Sequence, residues 1–171
     1  RVFDLTVACF GLMVTVPIMA ISAIAIRVES SGPILYRQLR VGENGKVFEM
    51  IKLRTMYVGA EQQRDDLLAQ NESDGPLFKI KQDPRVTRVG HILRKFSVDE
   101  IPQFWNVVRG EMSVVGPRPA LPSEVAQWTP DVHQRLLVLP GITGMWQVSG
   151  RSSTTFEEYK QVEKDRALAR R

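Results

Sequence analysis

The sequence predicts a mostly helical protein with a small β element, led by an N-terminal helix that sits in a membrane. Three observations carry this: an uncharged apolar run over residues 5–26, helix punctuation repeated through the second half, and one pair of alternating runs around Gly42 and Gly45. A chain of 171 residues with 43% hydrophobic content is near the size of one domain and can bury a core. Its 23 Lys and Arg against 19 Asp and Glu give a net charge of +4. That balance favours phosphates, nucleotides and acidic lipids without the basicity that would demand nucleic acid. The single cysteine, Cys9, excludes an intramolecular disulfide, and His91 and His133 offer no zinc-ligand spacing. Any chemistry therefore falls to carboxylates and bases.

The run LTVACFGLMVTVPIMAISAIAI lies between Asp4 and Arg27 without a charge. At about 1.5 Å per residue it is long enough to cover a hydrocarbon core of roughly 30 Å. A secretory signal fits poorly, because the apolar stretch is too long and its basic residues follow it. A buried core helix fits poorly too, since no face is left for solvent. Pro17 near the middle removes a backbone donor and predicts a kink. Such a kink either tilts a spanning helix or turns the chain so that both ends leave on one face. Arg27, Arg37, Arg40, Lys46, Lys52 and Arg54 follow closely, so the positive-inside bias places the next domain in the cytoplasm. Residues 1–27 are thus the membrane unit and 28–171 the domain it carries.

After the SSGP turn, residues 34–56 predict a β-hairpin with a longer loop at Gly42 to Gly45. Residues 60–70 read as a polar helix ended by NESDGP, and LFKIK alternates like a short strand or extended edge. Residues 85–96 predict a helix, and a further helix follows Ser97 and stops at Gly110. Beyond VVGPRPALP come helices over about residues 122–128 and 131–138, closed by PGITG. Residues 156–171 read as a charged helix with a solvated face, and the chain has no repeats or low-complexity tract.

The stretch SVDEIPQFWNV places Asp99 beside Glu100 at the edge of an apolar segment. Ser97 and Glu100 match a capping box, yet a cap at Ser97 would put Pro102 where its missing N–H breaks a helical bond. A cap at Asp99 puts that proline safely in the first turn. Two adjacent anions near an apolar wall repel and raise one pKa, which a divalent cation would relieve. Mg²⁺ favours one or two carboxylates together with phosphate oxygens and water. From the residues alone a structural cap and a metal-phosphate site both stand.

RVFDL, SSGPILYRQLRVGENGKVFEMIKLRTM, DPRVTRVGHILRKFSVDEIPQFWNVVRGEMSVVGPRPALP and PGITGMWQVSGR, in that order, closely resemble the bacterial sugar transferases. These are monotopic phosphoglycosyl transferases, and the resemblance covers residues 1 to about 155. It implies transfer of a sugar 1-phosphate from a UDP-sugar to a polyprenyl phosphate of undecaprenyl type, with Mg²⁺ and a covalent enzyme intermediate, as the first membrane step of exopolysaccharide or glycan assembly. It also implies a re-entrant, Pro-kinked membrane helix, with the catalytic domain on the cytoplasmic face of the bacterial inner membrane. Asp99 matches the family nucleophile, and Glu100 the partner that binds magnesium or handles the proton; both would serve as metal ligands. Arg94 matches the arginine five residues before the aspartate and would clamp phosphoryl oxygens. Arg118 matches the Pro-Arg-Pro element near the nucleotide, and Lys52 the KFRT-type block that meets phosphate or lipid headgroups. Trp105 and Trp146 are expected in packing and the two histidines in structural roles, and a homo-oligomer is allowed.

Two departures from the family pattern stand out. Val16 precedes Pro17 where relatives often carry serine, leaving Thr15 as the nearest hydroxyl, and the chain ends at EKDRALARR where the family continues into an Asp-Tyr and Asn-Trp-Ser region. It therefore reads as a truncated or variant catalytic part of a longer membrane protein. The DGPLFKIKQDPRVTRVG stretch looks most like the hexose-transferring enzymes, which makes glucose or galactose the expected sugar. The rival reading is an inactive membrane-docked module that binds anionic lipid or nucleotide.

Overall fold

The computed structural model describes residues 1–63, 80 and 82–144. The expected 60–70 helix beyond residue 63, the LFKIK strand apart from Ile80, the 156–171 helix and Trp146 lie outside the described residues.

Helix α1 spans Val2–Glu29, with Pro17 inside it. Its 28 residues make it about 42 Å long. Thr15 does not serve the carbonyl that Pro17 leaves without a donor, because its hydroxyl bonds back to Gly11 O at 2.6 Å. Both ends of α1 are tied to the same globular body. At the start, the Arg1 guanidinium donates to Val107 O and Val108 O, each at 3.0 Å. The Asp4 carboxylate accepts from Ser113 Oγ at 2.8 Å and Val114 N at 2.9 Å. At the far end, Glu29 accepts from Arg88 N at 2.8 Å and Val89 N at 2.9 Å. Between these anchors Phe10, Met13, Val14, Val16, Ile18, Ile21 and Ile24 remain exposed. An apolar surface of that extent, on a helix long and apolar enough to cross a membrane, suits lipid better than water.

The hairpin forms as the alternation requires. Strand β1 (Leu35–Val41) pairs antiparallel with β2 (Val47–Leu53), from Leu35 opposite Leu53 to Val41 opposite Val47. Asn44 and Gly45 turn the loop with positive φ, 53° and 76°. Because side chains alternate, Phe48, Met50 and Lys52 share one face of β2. Phe48 and Met50 join Ala8, Val107 and Met112 in one core, while Leu53 packs with Ile26 and Leu93 in a second.

Helix α2 (Arg88–Lys95) begins at Thr87, whose Oγ1 accepts from Gly90 N at 2.9 Å. The expected continuous helix after Ser97 is broken in two. Ser97 takes a left-handed φ of 57°, Val98–Glu100 makes a single 3₁₀ turn, and α3 (Gln103–Arg109) starts only after Pro102. Asp99 is therefore not an N-cap but lies inside the 3₁₀ turn. The physical reason is Pro102, whose fixed φ of −59° occupies the helix-cap position itself. Gly110 ends α3 with a φ of 81°, as the sequence predicts.

Beyond α3 the strand β3 (Ser113–Val115) pairs in parallel with β4 (Gly141–Thr143). This second ladder was not expected, since PGITG reads as a turn. It depends on close backbone approach: a Cβ on Gly141 would lie 1.9 Å from Gly116 N. The two helices expected over 122–138 are shorter, α4 (Pro122–Val125) and α5 (Pro130–His133), the latter followed by a 3₁₀ segment at Gln134–Leu137.

Candidate active site

The last turn of α2, the 3₁₀ turn and the end of β2 meet at the carboxylate pair. Lys52, last on its face of β2, extends past the core made by Phe48 and Met50 and reaches Glu100 Oε1 at 3.1 Å. Both partners are about three-quarters buried, with side-chain exposures of 25% and 23%. Asp99 is buried, with 8% exposure. Burial pushes its carboxyl above the ordinary carboxylate value; Lys52 opposes that shift, Glu100 adds to it, and Arg94 opposes it again. The same four groups that the sequence singled out, Lys52, Arg94, Asp99 and Glu100, thus act on one another in space.

The KLRT block at residues 52–55 shows why a single strand end can organise the site. Lys52 takes Glu100. Arg54, just past the end of β2, donates to Ser31 O at 2.6 Å and Ser30 O at 2.8 Å, fastening the end of α1. Thr55 Oγ1 accepts from Arg94 Nε at 2.9 Å. Membrane helix, hairpin and α2 are therefore locked together within four residues.

Arg118 is placed elsewhere. It lines a small cleft with Val41, Gly42, Trp128 and Arg135. Val41 stands at the opposite end of β1 from Tyr36, the cross-strand partner of Lys52. Five residues at about 3.4 Å each put roughly 17 Å between those positions. Near this cleft Arg40 donates to Pro119 O at 3.1 Å, and Arg135 donates to Arg118 O at 3.2 Å while stacking over Trp128. Trp105 is half-exposed rather than part of a core, and His133 packs edge-on against Trp128, a structural role.

A second ion pair lies within electrostatic reach of Arg94. Asp83 and Arg85 form a buried bidentate pair, Nε to Oδ1 at 2.9 Å and Nη2 to Oδ2 at 2.7 Å. Arg85 also donates to Ala60 O at 3.1 Å. Hydrogen bonds from Arg85 hold the Asp83 carboxyl below its ordinary value, against burial, with the Arg94 charge helping. An acidic residue two before an arginine was the available signal, but without burial it looks like any surface pair.

Two adjacent carboxylates, one buried and one paired with a lysine, thus stand together on a body that carries a long apolar helix. The chain matches the bacterial sugar transferase family over residues 1–170, and it belongs to that family. It is similar to the galactosyl transferase CpsE of Streptococcus agalactiae serotype III, 43% identical over 164 residues covering 95% of this chain and 36% of that protein. The undecaprenyl-phosphate galactose phosphotransferase of Salmonella typhimurium is 38% identical over 164 residues, 92% of this chain and 34% of its own. The exopolysaccharide production protein ExoY of Rhizobium meliloti is 36% identical over 160 residues, 91% and 71% of the two chains. The chain spans about a third of the length of the first two relatives.

Proposed function

We propose that this chain transfers a sugar 1-phosphate from a UDP-sugar to a membrane polyprenyl phosphate of undecaprenyl type, releasing UMP, through a covalent intermediate on Asp99. The observation that carries the reading is the buried Asp99 set among Glu100, Lys52 and Arg94, on a body fastened along an exposed apolar helix. In the first displacement a carboxylate oxygen of Asp99 attacks the sugar-proximal phosphorus. The phosphoanhydride bond breaks, and UMP leaves with the bonding pair. In the second, an oxygen of the lipid phosphate attacks the same phosphorus and expels the Asp99 carboxylate, giving the lipid-linked diphosphate sugar. Splitting the transfer lets a water-soluble donor and a lipid acceptor use one site in turn.

Burial keeps water from the reacting carboxylate and from the intermediate it forms. Lys52 holds Glu100 in place, and Arg94 supplies positive charge where phosphoryl oxygens gather. Among the described residues no group of three or more His, Cys, Asp or Glu side chains is placed to hold a metal. A magnesium ion is compatible with that, since it takes one or two protein carboxylates and draws its other ligands from phosphate and water. Asp99 and Glu100 would hold it, and when bound it would neutralise the diphosphate and the departing UMP. Arg118, at the far end of the hairpin, is our choice for the nucleotide end of the donor.

Because both ends of α1 return to one body, we read the helix as entering and leaving on the same face, a monotopic arrangement, with the basic flank after residue 27 on the cytoplasmic side of the inner membrane. The sugar is proposed to be a hexose, galactose or glucose.

The test is UMP release by the purified protein with UDP-galactose or UDP-glucose, Mg²⁺ and undecaprenyl phosphate, alongside intact-protein mass. Donor alone should add one hexose phosphate to the wild type and nothing to Asp99→Asn, which should also lose turnover. Full activity in Asp99→Asn would end the covalent reading. Sugar phosphate released without a lipid acceptor would mark a diphosphohydrolase instead.

A further inference from the structure

Thr55 sits at the junction of hairpin and α2, buried at 6% exposure. We propose that Thr55 is a positioning residue that fixes which edge of the Arg94 guanidinium faces the reacting phosphates. The proposal rests on the reading of Arg94 as the phosphoryl clamp. A guanidinium carries five N–H donors and can grip a phosphate through its Nε/Nη side or through its two terminal nitrogens. With Nε donating to Thr55 Oγ1 at 2.9 Å, the side edge is occupied, which leaves the terminal pair to take a phosphate.

The hydroxyl can impose this because its own residue is immobile. Thr55 O accepts from Thr87 N at 3.0 Å, joining the strand end to the cap of α2. Gly90 lies so close to that carbonyl that a Cβ there would come within 2.1 Å of it. Next in the chain, Arg54 is fastened to Ser30 O and Ser31 O. A β-branched side chain on such a backbone has little χ1 freedom. Arginine, by contrast, has many rotamers, and an Arg94 released from Thr55 would spread over them. Threonine supplies the acceptor at a fixed point, and the 39-residue separation from Arg94 hides the pairing in the sequence.

The experiment compares Thr55→Val, Thr55→Ser and Arg94→Ala, singly and as the Thr55→Val/Arg94→Ala double variant, in the full chain with UDP-galactose or UDP-glucose and undecaprenyl phosphate. Thr55→Val should lower kcat about 10- to 100-fold, the range expected when a clamp is misplaced by about an ångström, with KM within about threefold and the unfolding midpoint little changed. Thr55→Ser should return kcat to within about twofold of wild type. In the Arg94→Ala background, Thr55→Val should change nothing further. If valine at this position prevents folding, Thr55→Ala replaces it under the same expectations. Wild-type kcat in Thr55→Val, or an equal loss from Thr55→Val with and without Arg94, would overturn the proposal. Wild-type kcat in Arg94→Ala would instead refute the clamp, and with it the premise on which Thr55 was assigned.

Discussion

Replacing Asn106 by leucine tests how the hairpin is held against α3, and hence how Lys52 is held against the carboxylates. Asn106 is fully buried. Its Oδ1 accepts from Ile51 N at 3.1 Å, and its Nδ2 donates to Glu49 O and to Glu111 Oε2, each at 2.7 Å. The amide thus imitates a neighbouring strand, satisfying the donor and acceptor that β2 turns away from β1. Leucine has the same number of side-chain heavy atoms in a similar branched shape, is bulkier, and supplies neither group. Ile51 is buried, so its N–H loses its partner without gaining water, at a cost of about 1–3 kcal/mol. Glu49 O and Glu111 are nearer solvent and add about 1 kcal/mol together. The sum, about 2–4 kcal/mol, corresponds to a fall in Tm of roughly 5–15 °C for a chain of this size. Thermal unfolding followed by circular dichroism in detergent measures it. Asn106→Asp should be worse than leucine at pH 7, setting a carboxylate against Glu111, and should recover on acidification as the proton restores a donor. A Tm within about 2 °C of wild type for Asn106→Leu would refute the edge-satisfying role.

Three further outcomes follow from the same geometry. Lys52→Met should reduce kcat at least tenfold and move the acidic limb of the pH–rate profile upward, because the Asp99 carboxyl loses the charge that most opposes its raised pKa. An unshifted limb would separate Lys52 from the pair. Gly90→Ala should disrupt the site even at a helix position where alanine is otherwise favourable, since its Cβ would fall 2.1 Å from the Thr55 carbonyl; wild-type turnover in this variant would contradict the packing. Asp83→Asn should cost about 3 kcal/mol at pH 7 by leaving Arg85 buried without its anion. The folded-state pKa of Asp83 lies below its ordinary 3.8, so its contribution is complete above about pH 5 and is lost as pH falls through 4 and beyond. The gap in urea midpoint between the wild type and Asp83→Asn should therefore be the same at pH 7 and pH 5 and begin to narrow at pH 3.5; a gap that does not narrow on further acidification would exclude the ion pair as the cause.

What the sequence determined by itself was whatever local rules decide. An uncharged run of about a helix-span in lipid, alternation around Gly42 and Gly45, and a glycine at 110 each state their structure within a few residues, and the structure follows them. Asp99, Glu100, Arg94 and Lys52 were legible too, through residue type and a family pattern, and the structure brings them together. The tertiary structure alone decided the rest, because those features depend on partners far along the chain. Asp99 is held inside a 3₁₀ turn rather than at a cap because Pro102 claims the helix start. The β3–β4 ladder needs two glycines at positions 116 and 141 to let backbones touch. Arg118 is kept at the other end of the hairpin by the strand register. Thr55 meets Arg94, and Glu29 meets the start of α2, only when hairpin, membrane helix and α2 are packed on one another. Hydrogen bonds between residues 39 to 60 positions apart leave no periodic trace, so folding itself is what pairs them.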